Sequence, residues 1–497
     1  MQSKKRPVTD ESSSHGEARK RTARRDSSTP APVNNTSNDE HVPVKTEAQD
    51  DYPIATPVTK NTLMWFRNDL RLQDNRALYA ASMRSRVGQD SAVLALYVLS
   101  PEEWAHHDEA AVKIDFWMRN LVALKAELAA LDIPLLVRTA VHQEEVVAVV
   151  RETVRECGVS HVFWNMELMV DEQKRDRRVR RALEEEEGVV VEVFDDQCIV
   201  PPRDVRTKTG NPYAVFTPFY KTWCHLIETN PYYLDLAHAP EPNHSEARTL
   251  FQKHFAATIP TSHPHGLDVA EIQRLFPAGE QAAHARLNEF VQQRAAQYHV
   301  RRDEFYRNIL VSFPRVCKSR AFQPITEKIQ WSDNQVHFRA WCQGKTGFPI
   351  VDAGMRQLNT IGYMHNRLRM IVACFLVKDL MVNWQWGEKY FMQQLIDGDL
   401  ASNNGGWQWS ASTGTDAQPY FRVFNPLLQS QRFDPNGIFI RRWVPELKGL
   451  TDKQIHEPRK ILTPAQFAKL GYPKPIVDHA TAKTHYVEEF KRVLATK

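Results

Sequence analysis

The chain has 497 residues, of which 42% are hydrophobic and 10% aromatic, enough apolar material for several cores and enough to exclude a wholly disordered protein. No run of about 18 apolar residues occurs, so no membrane-spanning helix is predicted. The six Cys residues are scattered without a CxxC pair. This spacing argues against a disulfide scaffold or a cysteine-based zinc site and favours a reducing compartment.

The positive net charge is concentrated at the N-terminus. The 64 Lys and Arg residues exceed the 60 Asp and Glu residues by four, and residues 1–25 alone hold eight cationic and three acidic side chains. The remainder of the chain is therefore almost neutral. A nucleic-acid partner has to be inferred from a local basic patch and not from bulk charge.

Residues 1–59 form a tail rich in Ser, Thr, Pro, Asn and charge, with neither Trp nor Phe, a composition typical of disorder. Its two basic clusters, KKRP and RKRTARR, lie about a dozen residues apart, and this arrangement predicts a two-part nuclear import signal. A basic tail that adds weak attraction to DNA is one alternative. A mitochondrial presequence is another, disfavoured by the acidic residues Asp10, Glu11 and Glu17.

An α/β domain is predicted over residues 60–200. Apolar, β-branched runs alternate there with amphipathic stretches of helical period such as 111–131 and 142–156. The runs read TLMWF, AVLALYVL, IPLLVR, HVFWNM and VVVEVF. This alternation predicts a parallel, Rossmann-like sheet that binds ligands at the carboxyl ends of its strands. No GxGxxG follows the first run and no GxxxxGK[ST] occurs, which argues against common dinucleotide and nucleoside-triphosphate enzymes.

The rest of the chain divides into a connection and a helical domain. Residues 201–280 carry many Pro and His residues and little periodicity, which predicts a long interdomain linker. From residue 281 to 497 the pattern is helical, strand alternation is absent and Trp becomes frequent. The predicted architecture is therefore an α/β domain, a linker and an all-α domain.

The segment 397–426, DGDLASNNGGWQWSASTGTDAQPYFRVFNP, is unusually polar for its position between apolar helices. Taken singly, Asp397 and Asp399 are typical of helix caps, Gly405–Gly406 of a tight turn, and the Trp residues of core packing. Taken together, they indicate a site with buried polar partners, because buried polar groups need hydrogen bonds.

A second motif, GYMHNRLRM, lies just upstream and places Asn366 and Met370 four residues apart on one helical face, with Arg367 and Arg369 beside them. Arg next to a carboxylate-rich loop suits a polar or anionic ligand. Met370 is either a polarizable ligand contact or simple core packing.

These two motifs, together with MWFRNDLRLQDNRAL near the first strand, resemble the cryptochrome/photolyase family over about residues 60–490. The residue choices are similar to the class I cyclobutane pyrimidine dimer photolyases. The (6-4) photolyases and animal cryptochromes carry His at the positions of Asn366 and Met370.

The resemblance implies a light-driven DNA repair lyase. A monomer is expected because no oligomer seam is visible in the sequence. Such an enzyme holds a folded FAD in its helical domain and flips a pyrimidine dimer out of UV-damaged DNA. Light excites the reduced flavin, an electron passes to the dimer, and the cyclobutane bonds split.

The resemblance also assigns roles to individual residues. It places Asn403 beside flavin N5, where a neutral amide favours the reduced flavin, and Met370 against the lesion. Arg302 and Arg367 match positions that approach DNA phosphates. Trp407, Trp384 and Trp331 match a photoreduction chain that leads from the flavin to the surface. The cofactor contacts carried over are Tyr298, Asn366, Arg369, Asp397, Gly398, Asp399 and Asn403.

The chain departs from the family pattern at Asp303–Glu304. Family members have about fifty residues here, including a TSxLSPYLxxG segment that grips the flavin diphosphate. In this chain QYHVRRD runs directly into EFYRN, so the resemblance predicts an incomplete helical domain that lacks this cradle. A loss of that size exceeds the trimming of a loop.

The antenna chromophore is a further departure. Met169 stands where folate-binding members have Glu, although Cys317 and Lys318 match the folate side of the helical domain. A folate, a deazaflavin and no antenna at all remain alternatives.

Three hypotheses about function follow from the sequence. Met370 and Asn403 favour a repair enzyme over a cryptochrome-like blue-light photoreceptor. The absent cradle favours an inactive, truncated photolyase product that does not hold FAD. A metal hydrolase gains little support, because no HExxH motif occurs.

Overall fold

The computed structural model describes residues 61–87, 91–261, 267–293 and 302–496. The N-terminal tail with its two basic clusters and the predicted flavin contact Tyr298 lie outside these residues. None of the helices in the described ranges combines the length and apolar character needed to span a membrane.

Five strands form one parallel sheet, and each lies at one of the predicted apolar runs. The order across the sheet is β3-β2-β1-β4-β5. The predicted parallel α/β fold is therefore confirmed. The strands are β1 (Asn61–Phe66), β2 (Val93–Leu99), β3 (Leu135–Thr139), β4 (Val159–Asn165) and β5 (Val190–Phe194).

Helices cover both faces of this sheet. Because side chains alternate along a strand, Leu63 and Trp65 of β1 pack into one buried cluster and Met64 and Phe66 into another. The first cluster includes residues of α4 and α5, and the second includes residues of α1 and α3. The helices are α1 (Arg76–Ser85), α2 (Pro101–His106), α3 (Ala111–Ala130), α4 (Val146–Glu156) and α5 (Val170–Glu186).

The connection expected over residues 201–280 contains helices of its own. Two of these helices span only five residues, which is too short for a helical period to be recognised in the sequence. The Pro-rich stretches between the helices interrupt the periodicity, so the longer helices were not predicted either. The helices that follow the sheet are α6 (Phe216–Thr229), α7 (Glu246–Leu250), α8 (Gln252–Ala256), α9 (Val269–Leu275) and α10 (Glu280–Gln293).

The described part of the C-terminal region is helical, as predicted. A π-helical segment, Phe375–Asp379, directly follows α14. The α-helices are α11 (Asp303–Ser312), α12 (Gln335–Cys342), α13 (Pro349–Ile361), α14 (Asn366–Cys374), α15 (Trp384–Met392), α16 (Leu400–Ala411), α17 (Pro426–Phe433), α18 (Ile438–Trp443), α19 (Pro458–Ile461), α20 (Pro464–Lys469) and α21 (His479–Leu494). Short 3-10 turns occur at Gln143–Glu145, Pro231–Leu234, Pro314–Lys318, Pro324–Lys328 and Pro445–Leu447.

The main helical core is built around α13–α16 and includes the buried rings of Trp341, Trp384 and Trp407. Trp407 of α16 packs directly on Gly387 of α15, where a methyl group would overlap the indole ring. The missing side chain of Gly387 therefore sets how closely α15 and α16 approach.

We expect Gly387→Ala to lower the free energy of unfolding by about 2 kcal/mol, because overpacking a filled core costs more than the helix gains from alanine. Gly406→Ala on α16 is the matched control, since a Cβ there meets no atom within 4 Å. This control should stabilise the protein by up to about 1 kcal/mol. Urea unfolding followed by circular dichroism measures both, and equal effects would contradict the packing argument.

Candidate functional site

An ion pair joins the two polar motifs. The Nη2 atom of Arg369 in α14 donates to both carboxylate oxygens of Asp397 at 2.8 Å, and its Nε donates to the Met364 carbonyl at 2.7 Å. Asp397 stays about half exposed. The structure thus brings the two predicted cofactor contacts together, with the carboxylate still open to a ligand.

Asp399 and Gly398 tie the start of α16 to other elements. The Asp399 side chain accepts from the Ser402 backbone N–H at 2.9 Å, which makes it the N-cap of α16, and it pairs with Arg307 at 3.3 Å. The Gly398 carbonyl accepts from Lys113 Nζ of α3 at 2.6 Å. The predicted capping role of Asp399 is confirmed. Asp397, in contrast, does not cap α16; its carboxylate forms the ion pair with Arg369 of α14.

Asn403 is buried and held by the neighbouring helix. Its Nδ2 atom donates to the Glu388 carbonyl of α15 at 2.9 Å. The adjacent Asn404 donates to the Glu388 carboxyl oxygen at 2.7 Å and accepts from Gln408 at 2.9 Å. Burial raises the pKa of Glu388 to about 7, since no cation lies among the groups that act on it.

Gly405 and Gly406 lie inside α16, so the tight turn considered for them is wrong. The ring of Tyr306 in α11 packs on Gly405 so closely that a Cβ there would overlap it. Gly405 therefore allows the close approach of α11 to α16, whereas Gly406 faces open space. At Gly406 no atom lies within 4 Å of the position that a Cβ would occupy, so the backbone there has room for a flat ligand.

The predicted tryptophans are buried to different extents. Trp407 and Trp384 are both buried in the α13–α16 core, and Trp331 packs against it partly exposed. The rings that contact Trp407 edge-to-face are Trp341, with centroids 6.0 Å apart, and Phe391, at 5.0 Å. Sequence reasoning missed both of these neighbours. The high Trp content of the region was the only signal for them.

Both predicted DNA contacts, Arg302 and Arg367, lie over aromatic rings. The Arg367 guanidinium lies 4.7 Å from the Phe433 ring centroid, and Arg432 lies 5.3 Å from the same ring. Burial and the charge of Arg432 lower the pKa of Arg367. Arg302 lies 4.8 Å from the Phe216 ring. The sequence did not identify Arg432 as part of this basic surface.

Asn366 and Met370 share the exposed side of α14. Asn366 is exposed as the first residue of the helix and Met370 is half-buried one turn later. The core-packing alternative for Met370 is therefore weakened.

A cavity of about 940 Å³ opens at the carboxyl ends of the strands. The strand order reverses between β1 and β4, and the cavity contains Asn68 and Glu167, which follow these two strands. Met169 and Cys317, the predicted antenna positions, line the same cavity, whereas Lys318 is exposed and lies outside its lining.

The far wall of this cavity is contributed by the helical domain. Trp386 and Glu388 of α15 line it, together with Gly398 and Asp399. Both α15 residues escaped sequence analysis, because only tertiary packing turns them toward a cavity.

The described residues fit one side of FAD. The Arg369–Asp397 pair suits the polar edge of a flavin ring, a buried and oriented Asn403 suits a ring nitrogen, and the open backbone at Gly406 leaves room for a planar group. Tyr298, the remaining predicted contact, lies outside the described residues.

Two family models match the chain. Residues 62–243 match the DNA photolyase model, and residues 297–492 match the model of the FAD binding domain of DNA photolyase. Together they span most of the chain. The chain belongs to the photolyase/cryptochrome family, as its motifs predicted.

Individual relatives and solved structures support the same family assignment. The chain is 40% identical to the deoxyribodipyrimidine photo-lyase of Neurospora crassa over 510 residues, covering 88% of this chain and 83% of the relative. It is 40% identical to the Escherichia coli deoxyribodipyrimidine photo-lyase over 482 residues, covering 86% and 98%. A class III photolyase structure from Agrobacterium tumefaciens superposes with a TM-score of 0.73 at 28% identity, covering 90% of this chain and all of that one.

A solved archaeal photolyase from Sulfolobus tokodaii, described with two FAD molecules, superposes with a TM-score of 0.67 at 28% identity, covering 87% of this chain and all of that one. The alignment with the Escherichia coli relative also contains positions that this chain lacks. Since 86% of 497 residues is about 427, about 55 of the 482 aligned positions in total have no counterpart in this chain.

Replacing Glu388 tests the charge state of the site. The folded protein holds the Glu388 proton more tightly than the unfolded chain does, because the pKa of Glu388 is about 7 in the folded protein. The unfolding free energy of the wild type therefore falls as pH rises from about 4.5 through 7. Glu388→Gln keeps a neutral group of the same shape. The difference in unfolding free energy between Glu388→Gln and the wild type should therefore shift in favour of the variant by about 2 kcal/mol between pH 5 and pH 8.

The matched control is Glu488→Gln, which changes an exposed glutamate on α21. Urea unfolding of the three proteins at both pH values measures the effect. A Glu388→Gln advantage that does not grow with pH would show that Glu388 is ionised in the folded protein.

Proposed function

We propose that this chain has the fold and site of a light-driven DNA repair lyase, which acts as a monomer and splits cyclobutane pyrimidine dimers in UV-damaged DNA. The observation that carries the proposal is the Arg369–Asp397 ion pair beside the buried Asn403, within a domain that matches the photolyase FAD-binding model. The relatives bearing the name deoxyribodipyrimidine photo-lyase support the same activity.

The flavin-side residues would orient the cofactor. When bound, reduced FAD supplies the electron that light drives into the dimer. Arg369 and Asp397 fix the polar edge of the ring, because each holds the other in one orientation. Asn403 cannot swing away, since its amide is anchored to the α15 backbone. Asn366, Gly398 and Asp399 complete the proposed cofactor contacts, with Tyr298 assigned by resemblance alone.

The lesion and the DNA would bind beside α14. Met370 offers a half-buried, polarizable side chain for the flipped bases. Arg367 and Arg302 would hold phosphates on either side, because both guanidiniums are pre-oriented by the rings they stack on.

The antenna chromophore would occupy the 940 Å³ cavity at the carboxyl edge of the sheet. Met169 gives that wall a thioether in place of a carboxylate, so a chromophore that needs a carboxylate hydrogen bond would bind weakly. Folate and deazaflavin both remain candidates.

We also propose that the helical domain of this chain is incomplete at Asp303–Glu304. The total of about 55 aligned positions without a counterpart in this chain supports this, because it is large enough to include the segment of about fifty residues. So does the surface of α10, which ends ten residues before the junction: Leu287 and Val291, one helical turn apart, are 54% and 56% exposed. Two apolar residues on one helical face are typical of a surface that another segment covers.

Flavin stoichiometry of the 497-residue chain, compared with a version carrying a photolyase relative's segment inserted at Asp303–Glu304, tests activity and incompleteness together. We expect little flavin on the shorter chain, and near one FAD per chain with blue-light-dependent dimer repair in the longer one. One FAD per shorter chain would overturn the incompleteness proposal. A longer version that binds flavin but repairs no dimers in light would overturn the repair proposal in favour of a photoreceptor.

Trp407→Phe tests the proposed photoreduction chain of Trp407, Trp384 and Trp331. In whichever form binds flavin, this variant should lose at least about nine-tenths of the photoreduction rate of oxidised flavin, because phenylalanine does not supply an electron as readily as indole does. Repair by chemically reduced flavin should stay near the wild-type rate. Trp443→Phe on α18 is the matched control, and equal photoreduction in both variants would refute the role of Trp407.

The basic tail is proposed to direct nuclear import, with a mitochondrial address as the alternative. Removing residues 1–25 should disperse a fluorescent fusion from nuclei, whereas removing residues 26–50, a stretch of equal length with a single Lys, should not. Nuclear retention without residues 1–25 would contradict the proposal, and mitochondrial import of the intact fusion would support the alternative.

A further inference from the structure

Three potential metal ligands converge at one end of the α/β domain. Glu103 lies in the first turn of the short helix α2 and His107 is the residue that caps its end, four positions later, so they project from the same side of the helical turn. Glu172 lies in the first turn of α5. One ligand atom of each residue lies within 4.8 Å of the other two.

The glutamates are buried, and one of them lacks a partner. Glu172 is 9% exposed, and its Oε2 atom is buried without a hydrogen bond. Its Oε1 atom lies 3.8 Å from His107 Nδ1. A buried carboxylate oxygen that accepts nothing is costly, and here it belongs to one of the three clustered side chains.

The surrounding charges do not balance. Four buried carboxylates and two buried guanidiniums, six side chains in all, meet in this corner of the fold. When all are ionised they leave two excess negative charges, which His107 offsets only in part. The nearby Glu109 is paired with Lys113 of its own segment and adds no further net charge. The buried six are Arg67, Glu103, Glu167, Glu172, Arg175 and Asp176.

A small cavity provides the space for an ion. Glu103, His107 and Glu172 all line a pocket of about 60 Å³, a volume large enough for a cation with one or two waters. His107 and Glu172 also line the 940 Å³ cavity, so an ion has a path from solvent.

We propose that Glu103, His107 and Glu172 form a binding site for a divalent transition-metal cation, with Zn²⁺ the best match. One imidazole and two carboxylates suit Zn²⁺ better than Ca²⁺ or Mg²⁺, which take oxygen ligands only. Three protein ligands leave a coordination position for water or for a ligand in the adjoining cavity. Donors about 3.3 Å apart are needed, so side-chain adjustments of about an ångström close the site.

The neighbouring groups are arranged as outer-shell support. Arg175, which lines the same small pocket, donates to Glu103 at 2.9 Å and also contacts Glu167, so it restrains the Glu103 carboxylate. The bound cation would link α2 to α5 and place positive charge on the cavity wall. This site is independent of FAD, because its ligands belong to the α/β domain alone.

Zn²⁺ titration of the chelator-treated 497-residue chain, measured by competition with a chromogenic chelator, tests the proposal. We expect one equivalent per chain in the wild type. His107→Gln and Glu172→Gln should each weaken binding by at least about tenfold. Co²⁺ added in place of Zn²⁺ should give a visible absorption band that both variants lose.

His106→Gln is the matched control, because His106 lies on the same helix and lines the same large cavity without belonging to the cluster. It should bind Zn²⁺ as the wild type does. Circular dichroism of each metal-free variant establishes that it is folded. No stoichiometric binding by the wild type, or equal binding by all folded variants, would overturn the site, and so would a loss confined to His106→Gln.

Discussion

Two buried guanidiniums fix the edge of the sheet on which the large cavity depends. Arg175 of α5 contacts Glu103, Glu167 and Asp176, and Arg67, directly after β1, lies 3.3 Å from Asp176. Removing one partner from a buried ion pair costs about 3–5 kcal/mol. The ends of β1 and β4 and the starts of α2 and α5 are therefore held as one rigid wall, which keeps the crevice at the switch point open.

The helical side of the same cavity follows a different electrostatic principle. Glu388 has an amide as its carboxyl partner and no cation, so burial keeps its proton near neutral pH. The cavity thus has buried ion pairs on its α/β side, whereas Glu388 on its helical side has no cationic partner, although Arg307, Lys389 and Asp399 also line that side. The Asn403 amide donates to the Glu388 carbonyl and so connects Glu388 to the proposed flavin site. A chromophore in the cavity and a flavin beyond it would therefore approach each other at Gly398 and Asp399, which line the cavity and are also proposed cofactor contacts.

The sequence predicts elements well where burial and local pattern agree. Each β-branched run became a strand, because such runs, placed between helical segments, have one stable arrangement. The tight turn considered for Gly405–Gly406 was wrong, because the role of Gly405 depends on the close approach of the Tyr306 ring, a tertiary contact that the local sequence does not show. Glu388 and Trp386 carried no sequence signal, because their importance comes only from packing around a cavity. The proximity of Arg369 and Asp397, whose residue numbers differ by 28, could be predicted only through the family resemblance.

The consequence of an incomplete helical domain depends on where its cores lie. The buried cluster around α13–α16 includes side chains as far along the chain as Phe467 and Tyr472, all on the C-terminal side of the junction. The exposed apolar residues of α10 lie on the other side, beside a groove of about 1010 Å³ lined by Leu70 and Phe116. Because a cofactor needs contacts on several sides, while the buried residues of this core all follow the junction, the proposed loss would remove cofactor affinity first and leave this core folded.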